Sequence, residues 1–384
     1  MGNATCFTVL AFLSIVTVAV DYGLTQVALF PLLGIEYTPM RGAAVTLLVL
    51  VVQMVLIIWS TPITTKINNL AVGAEVIAMV GLTVLIGGAV LLGKHGDWGN
   101  LTSQGAIPSA GYAGWLGPFM LSALLGCYTL VGWESAANLA EETHNPKQVV
   151  PMAMVRAVLV SGVIGMLFLL AITAAMDDVA AVTADSAPVA RIIHDTLGGG
   201  VEGAMLVVVS VAIFACGLVI MVTNSRLVHS MARDGRLPAA DVLSRVPRPT
   251  GGPTFATLLA GGCSITIVVA FAGNADALTQ LLGAAALMPA LLYAATVVMY
   301  VATRRKYTPH PDDFTLGKWE APVVIGACLW LAIEVSIFLF PADFRTAQLY
   351  TVGSLVVGLI VFAVVWATRR SALTAEPGVE VDSL

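Results

Sequence analysis

Ten apolar stretches, each about 20 residues long or longer, follow one another along this chain with only short polar connections between them. A helix of about 20 residues crosses the roughly 30 Å of hydrocarbon in a bilayer, whereas a barrel strand needs only about ten. The stretches run over approximately 6–31, 43–61, 70–93, 117–140, 152–176, 201–224, 254–272, 277–303, 321–341 and 347–368. Backbone polar groups left unpaired in lipid are costly, so segments of this length must be helices. The expected fold is therefore an all-α integral membrane protein of about ten transmembrane helices, forming one polytopic membrane domain over 1–384. Residues 371–384 are expected to be a disordered cytoplasmic tail.

Composition excludes the main alternatives. Hydrophobic residues make up 58% of the chain and charged residues 11%, far from the roughly 25% charged residues of soluble domains. The net charge is −5 and the longest basic run is Arg304, Arg305 and Lys306, so nothing predicts a nucleic-acid partner. The five cysteines stand singly and the histidines are scattered, which predicts neither a metal site nor a cofactor. Nucleotide-binding and hydrolase motifs are missing, so the chain is not expected to be an enzyme, and any transport must draw on gradients. The N-terminal MGNATCFTVLAFL lacks a basic n-region and reads as a retained first span. Its Cys6 stands where a myristoylation pattern needs Ser or Thr.

Orientation follows from the basic residues. With the N-terminus in the cytoplasm, one set of connections and span ends holds fourteen Lys and Arg and the other holds Arg41, Lys94, Arg191 and Arg345. This asymmetry predicts that both termini are cytoplasmic and that connections 94–116 and 177–200 face outward. Trp98, Tyr112 and Trp115 sit at outer span ends, where rings anchor at the interface.

Four carboxylates fall inside the spans: Asp21, Glu75, Glu134 and Glu334. A charge in hydrocarbon is costly, so each invites a functional reading. In GCYTLVGWESAANLAEE, Gly126, Gly132, Ser135 and Asn138 interrupt the apolar run around Glu134, as expected of a broken helix that lines a site. In that reading, backbone groups near Gly132 bind a charged substrate and Tyr128 and Trp133 supply ring surface. Glu134 pairs with an ammonium or cycles a proton. The alternative is a continuous helix with a packing glycine. Glu134, Glu75 and Asp21 are the coupling candidates. Asp21 is either an internal polar contact or a group near the outer interface, and Glu75 either reaches inner-surface water or does not. Glu334 fits a packing or oligomer contact equally well.

The segment GWESAANLAEETHNPKQVVPMAM resembles the signature of amino acid–polyamine–organocation permeases, through Gly132, Glu134, Glu141, Glu142, Asn145, Pro146 and Pro151. SRLVHSMARDGRLP, with Arg233, Asp234 and Gly235, resembles the loop after the eighth helix of that family. VDYGLTQ and INNLAVGAEVIAM resemble the third and fifth helices of the bacterial choline and 4-aminobutyrate branch. Read singly, Asn145-Pro146 and Arg233-Asp234-Gly235 also fit ordinary helix punctuation. The resemblance implies a LeuT-type inverted-repeat bundle, here N-terminally shortened by two helices. It further implies alternating-access transport of an amino acid or amine, probing Tyr128 as the aromatic gate and Gly132 to Glu134 as the sixth-helix break. A transport-inactive chain acting as a membrane-embedded partner is the other expectation.

Overall fold

The computed structural model describes residues 2–59, 61–93, 95–103, 116–138, 143–185, 187–247, 252–304, 314–340 and 344–368. Every regular element among them is helical. In chain order these are α1 (Gly2–Gly23), a π-helical turn (Leu24–Leu29), α2 (Phe30–Leu33), α3 (Pro39–Trp59), α4 (Thr61–Leu91), α5 (Leu116–Thr129) and α6 (Ser135–Asn138). They continue with α7 (Pro146–Ala174), α8 (Val179–Thr183), α9 (Pro188–Leu197), α10 (Gly199–Arg233) and α11 (Ala240–Leu243). The last four are α12 (Thr254–Phe271), α13 (Ala277–Thr303), α14 (Glu320–Leu339) and α15 (Arg345–Thr368).

Nine helices among the described residues are long and apolar enough to cross a bilayer: Thr8–Leu33, Pro39–Trp59, Lys66–Leu91, Pro146–Ala174, Gly199–Arg233, Thr254–Phe271, Ala277–Thr303, Gly317–Leu339 and Arg345–Thr368. The chain is thus an all-α integral membrane protein. The stretch at 117–140 is interrupted, as its broken-helix reading expects: α5 stops at Thr129 and helix resumes only at Ser135. The tail at 371–384 lies outside the described residues.

Contacts divide the chain into two compact units, the first of residues 1–105, 170–282 and 352–384 and the second of 106–169 and 283–351. Within the first, α1, α3, α10 and α12 pack on one another. The first span is buried along 72% of its most apolar window, which makes it the central helix of this unit. Lipid tails are as apolar as leucine, so helices in a bilayer associate through close packing and polar pairs. Here Asn224 on α10 donates to the Ser14 hydroxyl on α1 at 3.0 Å, and Ser225 and Thr257 share a hydrogen at 2.7 Å between α10 and α12. Val228, Met231, Ala256 and Val365 close an apolar cluster below them.

Two connections of this unit are tied together. The Asp97 N–H donates to the Ala174 carbonyl at 2.9 Å and Asn100 donates to the Met176 carbonyl at 2.7 Å. The Gly96 N–H donates to Asp177 at 2.7 Å, while His95 lies 3.3 Å from the same carboxylate. These bonds, the backbone donor first, hold the Asp177 carboxyl below its ordinary value of 3.8.

The second unit contains α5, α6, α14 and the larger parts of α7 and α13. Its apolar centre is Ala286, Leu287 and Phe338, against which Tyr128, Leu291 and Phe344 pack. Phe338 and Phe344 meet edge to face at 5.2 Å.

Candidate functional site

Local chemistry explains the interruption between α5 and α6. Thr129 donates its hydroxyl back to the Leu125 carbonyl at 2.7 Å, and the Val131 N–H reaches Tyr128 rather than continuing the ladder. Gly132 then adopts φ 99°, a conformation that a Cβ makes costly. Ser135 and Ala137 restart short-range bonding to the Gly132 and Glu134 carbonyls at 3.0 and 2.8 Å.

That turn aims Glu134 at α13. Tyr293 donates its phenol to Glu134 Oε2 at 2.6 Å, and the Gly132 N–H donates to the same oxygen at 3.2 Å. The Trp133 and Tyr293 rings lie 5.1 Å apart at 33°. A carboxylate, two rings and a loosened backbone thus meet at one turn, a combination suited to an ammonium group. Tyr128 sits one turn earlier and packs on the Ala286–Phe338 cluster. Glu334 on α14 is 5% exposed and hydrogen-bonds within the same unit to Cys127 and Trp330.

The motif from Glu141 to Pro151 has structural work in the described residues. Asn145 takes φ 51°, tolerated by its short polar side chain, and its carbonyl accepts from Gln148 and Val149 at the start of α7. Pro146 fills the first helical position, where a missing N–H costs nothing. Pro151 deprives the Lys147 carbonyl of its partner four residues on, and the Phe314 N–H takes that carbonyl at 3.4 Å. Glu141 and Glu142 lie outside the described residues.

Arg233, Asp234 and Gly235 end α10. The Arg236 N–H donates to the Met231 carbonyl at 2.8 Å and the Gly235 N–H to Ala232 at 2.9 Å, with Gly235 at φ 70°. This is the paired bonding of a Schellman stop, which requires a left-handed residue. Asp234 sits 3.6 Å from Arg233 and 3.9 Å from Arg236.

The other two candidate carboxylates belong to the first unit. Glu75 is exposed on α4. Asp21 is fully buried and accepts from Gln53 of α3 at 2.9 Å. Gln53 also donates to the Phe214 carbonyl of α10 at 3.3 Å. Gly217 makes room for the carboxyl: a Cβ there would meet Asp21 Oδ1 and lie 2.8 Å from Gln53 Nε2. Thr25 and Thr46, also fully buried, share a hydrogen at 3.1 Å one turn along. The structure therefore brings Tyr128, Gly132, Trp133 and Glu134 into the second unit and places Asp21 and Glu75 in the first.

Tyr293, Gln53 and Gly217 were not singled out from sequence. The one available signal for Gln53 was its isolation as an amide in the apolar run of α3, and Tyr293 follows Pro289 by one helical turn.

The chain is 28% identical over 240 residues to an amino-acid permease BAT1 homolog of Oryza sativa subsp. japonica, covering 60% of this chain and 46% of that protein. It is 26% identical over 236 residues to amino-acid permease BAT1 of Arabidopsis thaliana, covering 59% and 45%. A putative polyamine transporter of Candida albicans is 22% identical over 256 residues, covering 65% and 46%. The chain thus spans about half the length of these relatives. Residues 1–366 match the amino acid permease family, and the chain belongs to that family.

Proposed function

We propose that the chain is a secondary active transporter of amino acids or related amines, working by alternating access and driven by a proton gradient or by exchange. The observation that carries this reading is the interrupted helix at Gly132, with Glu134 held by Tyr293 and by the Gly132 N–H. Membrane transporters form substrate sites from such breaks because unwound backbone groups are left to bind ligand. In this reading Glu134 pairs with the substrate ammonium, Trp133 and Tyr293 offer ring faces to it, and Tyr128 covers the site. The relatives are named as amino-acid permeases and a putative polyamine transporter, whose substrates share a cationic nitrogen. Among the intramembrane carboxylates, Glu134, Glu75 and Asp21 are the candidates for carrying a coupling proton.

The chain would reside in the cytoplasmic membrane with both termini inside. Charge asymmetry supports this orientation. Contacts support the pairing of connections on common sides, since 95–100 meets 174–177 and Lys147 meets Phe314.

The test is uptake of labelled amino acids and amines by proteoliposomes holding the purified chain, with and without a proton gradient. Saturable uptake that Glu134→Gln abolishes, with helix content unchanged, is the expected result. Normal uptake by that variant would remove Glu134 from the site. No uptake by the folded unaltered chain would favour a membrane-embedded partner.

A further inference from the structure

Asp21 presents a hydrogen-bond account that does not balance. Its side chain is fully buried at the centre of the first unit, and no ion pair among the described residues involves it. Gln53 Nε2 spends its two hydrogens on Asp21 Oδ1 and the Phe214 carbonyl. Two acceptors then remain buried without partners, Asp21 Oδ2 and Gln53 Oε1. Both belong to fully buried side chains already joined by one hydrogen bond. Two bare acceptors cannot satisfy each other, and a buried unsatisfied polar atom costs about 1–3 kcal/mol, more when it carries charge. Flipping the Gln53 amide makes matters worse, because it sets its oxygen against Asp21 Oδ1 and against the Phe214 carbonyl.

One added hydrogen on Asp21 Oδ2, offered to Gln53 Oε1, would remove both deficits. A carboxylic acid and a primary amide form a two-bond pair in which the amide N–H meets the acid carbonyl and the acid O–H meets the amide carbonyl. The second amide hydrogen stays on Phe214, so every polar atom of the cluster is accounted for. Gly217 is what allows the pair to lie against α10, since any Cβ there would strike the carboxyl group.

We propose that Asp21 is a proton-binding site, holding its proton between Oδ2 and the Gln53 amide oxygen in the conformation described. Binding forms one O–H bond at Oδ2 as one O–H bond breaks on the hydronium that delivers the proton, leaving water and a neutral acid. Gln53 from α3 touches it, and exposed Cys216 of α10 is in electrostatic reach of both Asp21 and Glu75 of α4. Neither supplies a cation, so the neutral acid is the form the surroundings accept. Release requires separating α1 from α3 and α10 enough to admit water or another acceptor, which gives this unit a way to link proton occupancy to its own packing. Use of that proton to drive uptake rests on the reading of the chain as a transporter.

The test is infrared spectroscopy of the purified chain in lipid at neutral pH. The expected result is a protonated-carboxyl carbonyl band that ¹³C-aspartate labelling moves, that Asp21→Asn removes, and that Gln53→Leu displaces because the acid loses its amide acceptor. If Asp21→Asn does not fold, labelling and Gln53→Leu still decide. Absence of an aspartate-derived acid band, or a band that Gln53→Leu leaves in place, would overturn the proposal. In proteoliposomes, the ratio of uptake with to without a proton gradient should fall to about one in Asp21→Asn, and a full ratio would overturn the coupling role. A chain that shows the infrared band and transports nothing keeps the proton site while the transport reading fails.

Discussion

Tyr293 and Glu134 meet through a 2.6 Å hydrogen bond although 159 residues separate them in the chain. The bond fixes the carboxylate at the turn where α5 stops. A hydrogen bond to a charged group contributes about 1.5–3 kcal/mol, so Tyr293→Phe should raise the KM of any amine or amino acid substrate by about ten- to a hundredfold. Uptake kinetics check this, and an unchanged KM would separate Tyr293 from the site.

Gly132 and Gly217 are constrained for different reasons, which two alanine substitutions should distinguish. An added Cβ at Gly132 has no neighbour within 4 Å, yet φ 99° is strained for alanine. Gly132→Ala should cost about 1–2 kcal/mol, or straighten the turn and lower uptake. Gly217→Ala instead pushes a methyl into Asp21 and Gln53, and should cost about 1–3 kcal/mol by overpacking. Thermal unfolding in detergent reads both, and relief of the second by Asp21→Ala but not of the first would identify the clash.

Asp177 gives a pH-dependent prediction outside the membrane. Its folded-state value lies below the ordinary 3.8, because the Gly96 N–H and His95 favour the ionised form. Its contribution to stability is therefore complete above 3.8 and is lost as pH falls through the lower folded-state value. Asp177→Asn should lower the thermal midpoint at neutral pH, and the gap from wild type should close on acidification. A gap that persists unchanged at low pH would point to a packing effect.

Pro151→Ala restores an N–H that competes for the Lys147 carbonyl. The Phe314 N–H then loses its partner. Hydrogen exchange at Phe314 should quicken by about fivefold, as expected for one net hydrogen bond of about 1 kcal/mol. Unchanged exchange would mean that other contacts hold the segment.

The break at Gly132 was legible because three kinds of signal coincide within a few residues: glycines, small polar side chains and a carboxylate inside an apolar run. The stop at Gly235 was equally local, since a Schellman ending is written in adjacent residues. Tyr293 and Gln53 were not legible for the opposite reason. Each is one polar group on an otherwise apolar helix, and its meaning depends on which face meets which neighbour. Asp21 shows the same limit, because its position along the span left open both an interfacial and an internal place. The contacts of α1 with α3 and α10, not its own neighbours in sequence, put it at the centre of its unit. The Lys147–Phe314 bond was hidden likewise, although the proline that frees the carbonyl stands in the motif.

The π-helical turn at Leu24–Leu29 begins three residues after Asp21, and Thr25 within it donates its hydroxyl to the Asp21 carbonyl at 2.9 Å. A π turn stows one more residue than an α turn of the same span. Rewinding it to α pitch would swing everything beyond it by about 100°, one residue's share of a turn, and would set the ring of Pro31 against the Val27 carbonyl with no N–H to offer it. The first span thus stores an extra residue next to its buried acid, directly ahead of Pro31, whose missing N–H the wider turn accommodates.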